Sequence, residues 1–154
     1  MGESSSDIQE HIVAGVRPYL EALAKAQEFE IPGTLPTLNE YIRQERASRF
    51  AGARMKSDST QMVQQVIMAA RLQPMETPCH VIFSWHMPSR RVDLDNVRFG
   101  AKFILDALVL QGVIPDDSMR YIVAISDNFH VDRANPRIRV ALITAPGKVQ
   151  DAHA

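Results

Sequence analysis

The chain has a single cysteine and no long apolar run. Because Cys79 is alone among the 154 residues, the sequence excludes a disulfide framework and a zinc site built from thiolates. No stretch approaches the ~20 consecutive apolar residues that a membrane-spanning helix requires. The first residues lack the basic and apolar regions of a signal peptide. We therefore expect a cytoplasmic protein with no membrane partner, in which Cys79 is an unreactive buried thiol.

The net charge is also small, at −1. With 45% apolar and 23% charged residues, the composition is typical of one globular domain with a sizeable core. The charge is unevenly distributed, since residues 1–31 contain six acids and two bases and the remainder carries a balance of +3. This balance permits, without demonstrating, a DNA-handling surface in the later part of the chain.

Apolar periodicity and turn signals predict alternating helices and strands. Within the first helix, Pro18 predicts a kink or a division. Thr37 and Glu40 have the spacing of a capping box at a helix start. The predicted elements are helices over 7–28, from Thr37 onward and over 57–73 (capped by Ser57 or Asp58), and strands over 29–31, 79–86, 119–126 and 137–143, with a turn or bulge at Asp127 and Asn128.

These elements predict an α+β domain with a small mixed β-sheet of three to four strands and three to four helices, one of them long and lying between two acidic pairs. We divide the chain into an acidic helical extension at 1–28, a folded domain at 29–146 and a flexible tail at 147–154.

The two acidic pairs flank an apolar segment with helical period. Asp93 and Asp95 precede this segment, and Asp116 and Asp117 follow it. The segment predicts a helix of roughly 16 residues, which rises ~24 Å. The two pairs therefore meet only if the chain after Gly112, the predicted end of the helix, folds back as a strand.

Convergence of these carboxylates would create a site for a hard cation. Oxygen ligands suit Mg²⁺, and they also accept Mn²⁺. The alternative is two ordinary polar turns on either side of a core helix. Lys102, within the helix, would contact a phosphate or orient a carboxylate. Its alternative roles are a solvated lysine or an ion pair with Asp106, four residues later.

A basic row follows the Thr37 helix start. Tyr41 and Phe50 interleave with the basic side chains, a combination that suits a nucleic-acid backbone. The alternative is a solvated helix face. Arg90 and Arg91 adjoin the first acidic pair, where they would hold flanking phosphates or offset local charge. The candidate DNA-binding residues are Arg43, Arg46, Arg49, Arg54, Lys56, Arg90, Arg91 and Arg98.

Two histidines occupy one face of the predicted strand 79–86. His80 and His86 are six residues apart, and each strand residue rises about 3.3 Å, so the two imidazoles lie too far apart to share one metal ion. We therefore do not expect zinc at this pair.

In this order and spacing, the motifs resemble those of the RusA-type Holliday-junction resolvases of bacteria and phages. The resemblance covers roughly residues 29–145. It rests on a proline-rich entry, a strand, and three further motifs. These are Pro32 to Asn39, the strand after Pro78, Arg91-Val92-Asp93-Leu94-Asp95-Asn96, Lys102 with Asp106-Ala107-Leu108, and Asp116-Asp117 after Gly112.

The resemblance implies a homodimeric, Mg²⁺-dependent endonuclease that resolves four-way DNA junctions in recombination and repair. The family's metal-binding acids correspond to Asp93, Asp95 and Asp117, with Asp116 as a helper. Its helix lysine corresponds to Lys102. That lysine occurs about one helical turn later here than in the family pattern, so Arg98 is the alternative for its role. Asn96 is expected to cap a helix or to orient a ligand, and residues 1–28 have no counterpart.

Two other function classes remain open. One is a phage DNA-binding or regulatory protein that lacks catalysis, and the other is a metal-dependent phosphoesterase acting on another nucleic acid. For a homodimer, the apolar stripe of residues 8–23 and the strand at 138–143 are the alternative interfaces.

Overall fold

The computed structural model describes residues 4–146. The predicted tail at 147–154 and the first three residues of the predicted extension lie outside this range. No helix in the described part is long and apolar enough to cross a membrane. The elements are α1 Ser5–Ala24, β1 Gln27–Pro32, α2 Leu38–Ala47, α3 Arg49–Ala70, β2 Cys79–Met87, α4 Leu94–Arg98, α5 Ala101–Leu110, β3 Ile122–Val131 and β4 Arg137–Thr144.

The predicted α+β class is confirmed. Four strands form a mixed sheet in the order β1-β4-β2-β3. β4 pairs antiparallel with both β1 and β2, whereas β2 and β3 are parallel. Parallel neighbours require a crossover connection, and α4 with α5 supplies it. β4 is thus an inner strand, and β1 and β3 form the two edges.

One face of the sheet packs against helices. Along β2 every second side chain is buried, which is the period of a strand with one core face. Phe83 and Trp85 from this face meet Phe103 and Ile104 of α5 in a single apolar cluster. α3 completes the cover by contributing Ile67. The opposite face of the sheet carries the half-exposed residues of β2.

The helix predicted between the acidic pairs is divided in two. α4 ends at Arg98 and α5 begins at Ala101, with Phe99 and Gly100 between them. A Cβ at Gly100 would lie 3.1 Å from the Leu35 Cβ and 3.3 Å from Trp85 Cζ3, so glycine permits this close approach. Gly112, with φ of +70°, follows the end of α5 as predicted.

The helix predicted over 57–73 instead forms the second half of α3. α3 begins at Arg49, because Ser48 adopts an extended conformation and its Oγ accepts a hydrogen bond from Phe50 N at 3.1 Å. The predicted caps Ser57 and Asp58 therefore lie inside a helix. At α2 the prediction is confirmed, since Thr37 and Glu40 form the capping box.

β3 extends beyond its predicted end. The predicted turn at Asp127 and Asn128 is wrong, because both residues lie within the strand. Asp127 is tolerated there because its carboxylate accepts hydrogen bonds from Trp85 Nε1 at 2.8 Å and Arg98 Nε at 3.1 Å.

α1 is a helix, as predicted, and it projects its apolar stripe into solvent. Ser4 caps it in a capping box with Asp7, and Pro18 lies inside it. Ala22 is its only buried residue among those described. The exposed apolar residues of α1 are Ile8, Ile12, Val13, Val16, Tyr19, Leu20 and Leu23, each between 44% and 60% exposed.

The β3–β4 connection is fixed by Asp132. Its backbone N–H donates to Met87 O at 2.8 Å, and its carboxylate accepts from Arg137 Nη1 at 2.7 Å and from Asn135 N at 3.0 Å. The Arg137 hydrogen bond, followed by the backbone bond, lowers the pKa of Asp132 below its usual value.

Asp132→Asn should therefore destabilise the fold in a pH-dependent way. A lowered native pKa means that the carboxylate stabilises the fold above its unfolded-state pKa, and that this contribution is lost as pH falls through the native pKa. Urea denaturation should show a lower midpoint for the variant at pH 7 and equal midpoints at the acid limit. Asp58→Asn, at an exposed i,i+4 pair with Arg54, is the control that should change little.

Candidate nuclease site

The first acidic pair lies immediately beyond the carboxyl end of β2. Asp93 precedes α4 as its N-cap residue, but its side chain makes no capping hydrogen bond. Asp95 lies in the first turn of α4, and both side chains are exposed. The two carboxylates therefore remain accessible to a cation or to a positively charged group.

Asn96 connects this acidic turn to helix α2, which carries Arg43 and Arg46. Asn39 N donates to Asn96 Oδ1 at 2.8 Å, so Asn96 caps the start of α2 rather than of α4. The rings of Tyr41 and Phe99 meet at 5.3 Å between centroids, which adds a second contact between the two segments. Arg43 lies one helical turn after Asn39, and the first acidic pair is thereby held beside α2.

The predicted basic row is divided between two helices. Arg43 and Arg46 belong to α2, whereas Arg49, Arg54 and Lys56 belong to α3. The four arginines are all exposed. Such side chains are accessible to phosphates.

Some of these basic side chains already contact other groups within the chain. The Arg49 guanidinium lies 5.2 Å from the centre of the Phe50 ring, and Arg54 Nε lies 3.7 Å from an Asp58 oxygen. Both contacts are at the surface, where such pairs contribute little to stability. Arg90 and Arg91 lie exposed in the loop between β2 and the acidic turn.

Arg98 is held by an acid that the sequence analysis missed. Its Nη2 lies 3.0 Å from Asp127 Oδ2, and the Asp127 side chain is only 14% exposed. This pair and the Trp85 bond to Asp127 join α4 to the two parallel strands. No sequence motif marks Asp127. However, it follows Val123 and Ile125 at steps of two residues, which places all three on one face of a strand. That spacing was a usable signal that the strand continues through Asp127.

Lys102 forms the predicted alternative, an i,i+4 ion pair. Its Nζ lies 3.7 Å from Asp106 Oδ2, and Lys56 of α3 reaches the same oxygen at 3.5 Å. The Lys102 side chain is half exposed. The Lys102 amino group can therefore leave Asp106 and approach a phosphate. Asp106 then still has its ion pair with Lys56.

The second acidic pair lies in the loop between α5 and β3. Asp116 and Asp117 are exposed and line an open cavity of about 740 Å³. Lys56, Asp106 and Thr60 line the same cavity. The cavity therefore joins the second acidic pair to α3 and α5, and the first acidic pair does not line it.

The two acidic pairs do not converge within one chain. β3 runs parallel to β2 and begins opposite Cys79, so the loop that precedes β3 lies at the amino end of β2. The first pair lies beyond Met87, at the carboxyl end. The eight residue steps of β2 separate these ends by about 26 Å, at a rise of about 3.3 Å per residue.

Among the residues described, no group of three or more His, Cys, Asp or Glu side chains is arranged to hold a metal ion. The residues of either acidic pair fit Mg²⁺ in donor type, since each offers exposed carboxylate oxygens. Two carboxylates and water molecules match the way in which Mg²⁺ commonly binds. Any third carboxylate for the first pair comes from outside the Asp93–Asp95 turn.

Two further side chains, Tyr41 of α2 and Cys79 of β2, have perturbed pKa values. A hydrogen bond to Glu45, from Tyr41 OH to Oε1 at 2.7 Å, raises the pKa of Tyr41, so the phenol stays neutral at physiological pH. Burial raises the pKa of the Cys79 thiol, which agrees with the predicted unreactive cysteine.

The sequence matches no protein-family model, and a search of curated proteins finds no relative.

Proposed function

We propose that this protein is a Mg²⁺-dependent, structure-specific endonuclease that resolves four-way DNA junctions in recombination and repair, in keeping with its RusA-type motifs. The observation that carries the proposal is the hydrogen bond from Asn39 N to Asn96 Oδ1. This bond holds the Asp93–Asp95 turn, which can bind a cation, beside α2, whose exposed Arg43 and Arg46 can bind phosphates. The proposal includes a cytoplasmic location, where the protein would act on DNA.

We propose further that a homodimer completes each site. Asp117 lies at the far end of β2 from Asp93 and Asp95, so a third carboxylate for this pair comes most simply from a second copy of the chain. A two-fold axis would place Asp117 of the partner subunit, with its neighbouring Asp116, beside the first pair, and would create two equivalent sites. Two sites in one particle match the two strands that a junction presents.

The chemistry follows from the residues assembled in this way. A bound Mg²⁺ ion would supply an activated water and neutralise charge on the leaving oxygen. The three carboxylates would hold the ion, and Mn²⁺ accepts the same oxygen ligands. Lys102 would orient the scissile phosphate, and Arg98 would keep α4 in position through Asp127. The exposed arginines of α2 and α3 would bind the flanking backbone, so binding should weaken steeply with salt.

The proposed dimer interface is the exposed apolar stripe of α1. The strand at 138–143, the alternative interface, lies inside β4, whose two edges are already paired with β1 and β2. The stripe exposes seven large apolar residues of one helix, a surface that is rarely left in water. Glu10 and Arg17 flank it two turns apart, so an antiparallel second copy would pair each with the opposite charge.

Ile12→Glu should therefore convert the dimer to a monomer. A carboxylate placed in the centre of the apolar stripe would be buried without a partner in the dimer. Light scattering across a concentration series would measure the mass. Ala14→Glu adds the same charge on the opposite side of α1 and should leave the dimer intact. Equal masses for both variants and the unsubstituted protein would rule out this interface.

The test of the function is cleavage of a synthetic four-way junction by the purified protein in Mg²⁺. We expect paired cuts in opposite strands, and much slower cleavage of a linear duplex of the same sequence. Equal rates on both substrates would indicate a general phosphoesterase. Junction binding without cleavage in either Mg²⁺ or Mn²⁺ would indicate a DNA-binding protein that lacks catalysis.

A further inference from the structure

Two histidines from adjacent strands lie side by side on the face of the sheet opposite the apolar core. His86 of β2 and His130 of β3 are direct partners in the parallel register. Their rings are stacked, with an angle of 17° between the ring planes and 4.7 Å between the centroids. His80, which the sequence analysis paired with His86, lies opposite Ala124 instead. The histidine pair of this protein is therefore formed across strands rather than along one strand.

We propose that His86 and His130 form a two-imidazole site for a divalent transition-metal ion such as Zn²⁺, Ni²⁺ or Cu²⁺. Imidazole nitrogens bind these ions in preference to Mg²⁺. A metal–nitrogen distance of about 2.0–2.1 Å places two nitrogens of one tetrahedral ion about 3.3 Å apart. Because the planes of the stacked rings are nearly parallel, both side chains would rotate to direct one nitrogen from each ring at the same ion. Water would occupy the remaining positions.

The charges around the pair do not exclude a cation. Arg137, opposite His86 on β4, is bound to Asp132 and Glu30 at 2.7 Å and 3.5 Å. Arg139, two residues later on β4, is bound to Glu28 and Glu30 at 3.6 Å and 3.8 Å. These two arginines are thus compensated by three carboxylates.

Arg90, which lines a cavity with His130, and Arg133 in the adjoining loop are both exposed. Burial, and next the charge of Arg137, lowers the pKa of His86 below its usual value.

An ion at this position would join the edge of the sheet to its interior. β3 pairs with β2 along one side, and its other side pairs with no strand in the described part of the chain. A ligand that binds the folded state stabilises it by mass action, so Zn²⁺ or Ni²⁺ should raise the melting temperature. The two imidazoles belong to neither acidic pair, although His130 lines a cavity with Arg90, Val92 and Leu94 of the segment that carries Asp93. The inference does not depend on nuclease activity.

The test is a titration of the full chain with Ni²⁺ or Zn²⁺, without DNA and with excess Mg²⁺ present to occupy carboxylate sites. We expect binding of one ion, with affinity rising from Zn²⁺ or Ni²⁺ to Cu²⁺. His86→Gln and His130→Gln should each weaken binding at least tenfold. His80→Gln, on the same strand face six residues earlier, is the matched control and should have no effect.

Electron paramagnetic resonance of the Cu²⁺ form gives a second readout that needs no variant. Coupling to two imidazole nitrogens is expected in the unsubstituted protein, and coupling to one in either single variant that keeps its circular dichroism spectrum. The proposal is overturned if the unsubstituted protein shows one nitrogen or none. It is also overturned if His80→Gln weakens binding as much as His130→Gln does.

Discussion

Asp93→Asn should abolish cleavage of a four-way junction in Mg²⁺ while leaving junction binding intact. The substitution keeps the shape of the side chain and removes the charge that the metal needs. Asp93 is exposed and makes no capping hydrogen bond, so the fold should not change. We expect at least a 100-fold loss of cleavage rate, equivalent to about 2.7 kcal/mol of transition-state stabilisation.

The measurement compares single-turnover cleavage rates and gel-shift affinities at one salt concentration. Binding should persist because it depends on the arginines of α2 and α3 rather than on the acids. Glu76→Gln removes an exposed acid just before β2 and serves as the control with unchanged cleavage. Cleavage by Asp93→Asn at the unsubstituted rate would remove Asp93 from the mechanism and, with it, the proposed metal site.

Local sequence signals identified most of the elements correctly. The capping box of Thr37 and Glu40 marks the start of α2, because both side chains satisfy backbone donors that any helix start leaves unpaired. The alternation of Arg137 and Arg139 with apolar residues marks β4. Gly112 marks the end of α5, because its positive φ disfavours other residues.

Features that depend on distant contacts were not predicted. Asp127 was assigned to a turn because its polarity was visible in the sequence and its partners, Trp85 and Arg98, were not. Likewise, the break between α4 and α5 depends on Gly100 packing against Leu35 and Trp85. In both cases a tertiary contact outweighs the local preference.

The positions of the acidic pairs could have been predicted from connectivity. A strand followed by a helical connection and a second strand typically forms a parallel crossover, which sends the second strand in the same direction as the first. The loop before β3 must then lie at the amino end of β2, far from Asp93. Convergence of the two pairs in one chain required an antiparallel return, and a connection of this length does not favour it.

Mixing inactive subunits should show whether two chains build each site. Asp93→Asn and Asp117→Asn should each be inactive as homodimers. In a heterodimer of the two, one site has both substitutions and the other has neither. Purified heterodimers should therefore have about half as many intact sites as the unsubstituted dimer. Because each heterodimer has a single working site, the product should be nicked junction rather than paired cuts.

The control for this experiment is a mixture of Asp93→Asn with Asp95→Asn. Both of these residues lie at the carboxyl end of β2, so every site in that heterodimer contains one substitution and should stay inactive. The two mixtures are prepared by co-expression with different tags and purified through both. If Asp93→Asn with Asp117→Asn is as inactive as the control, Asp117 does not act across the dimer. The first acidic pair would then need its third ligand from the DNA or from water, because its own chain places Asp117 at the opposite end of β2.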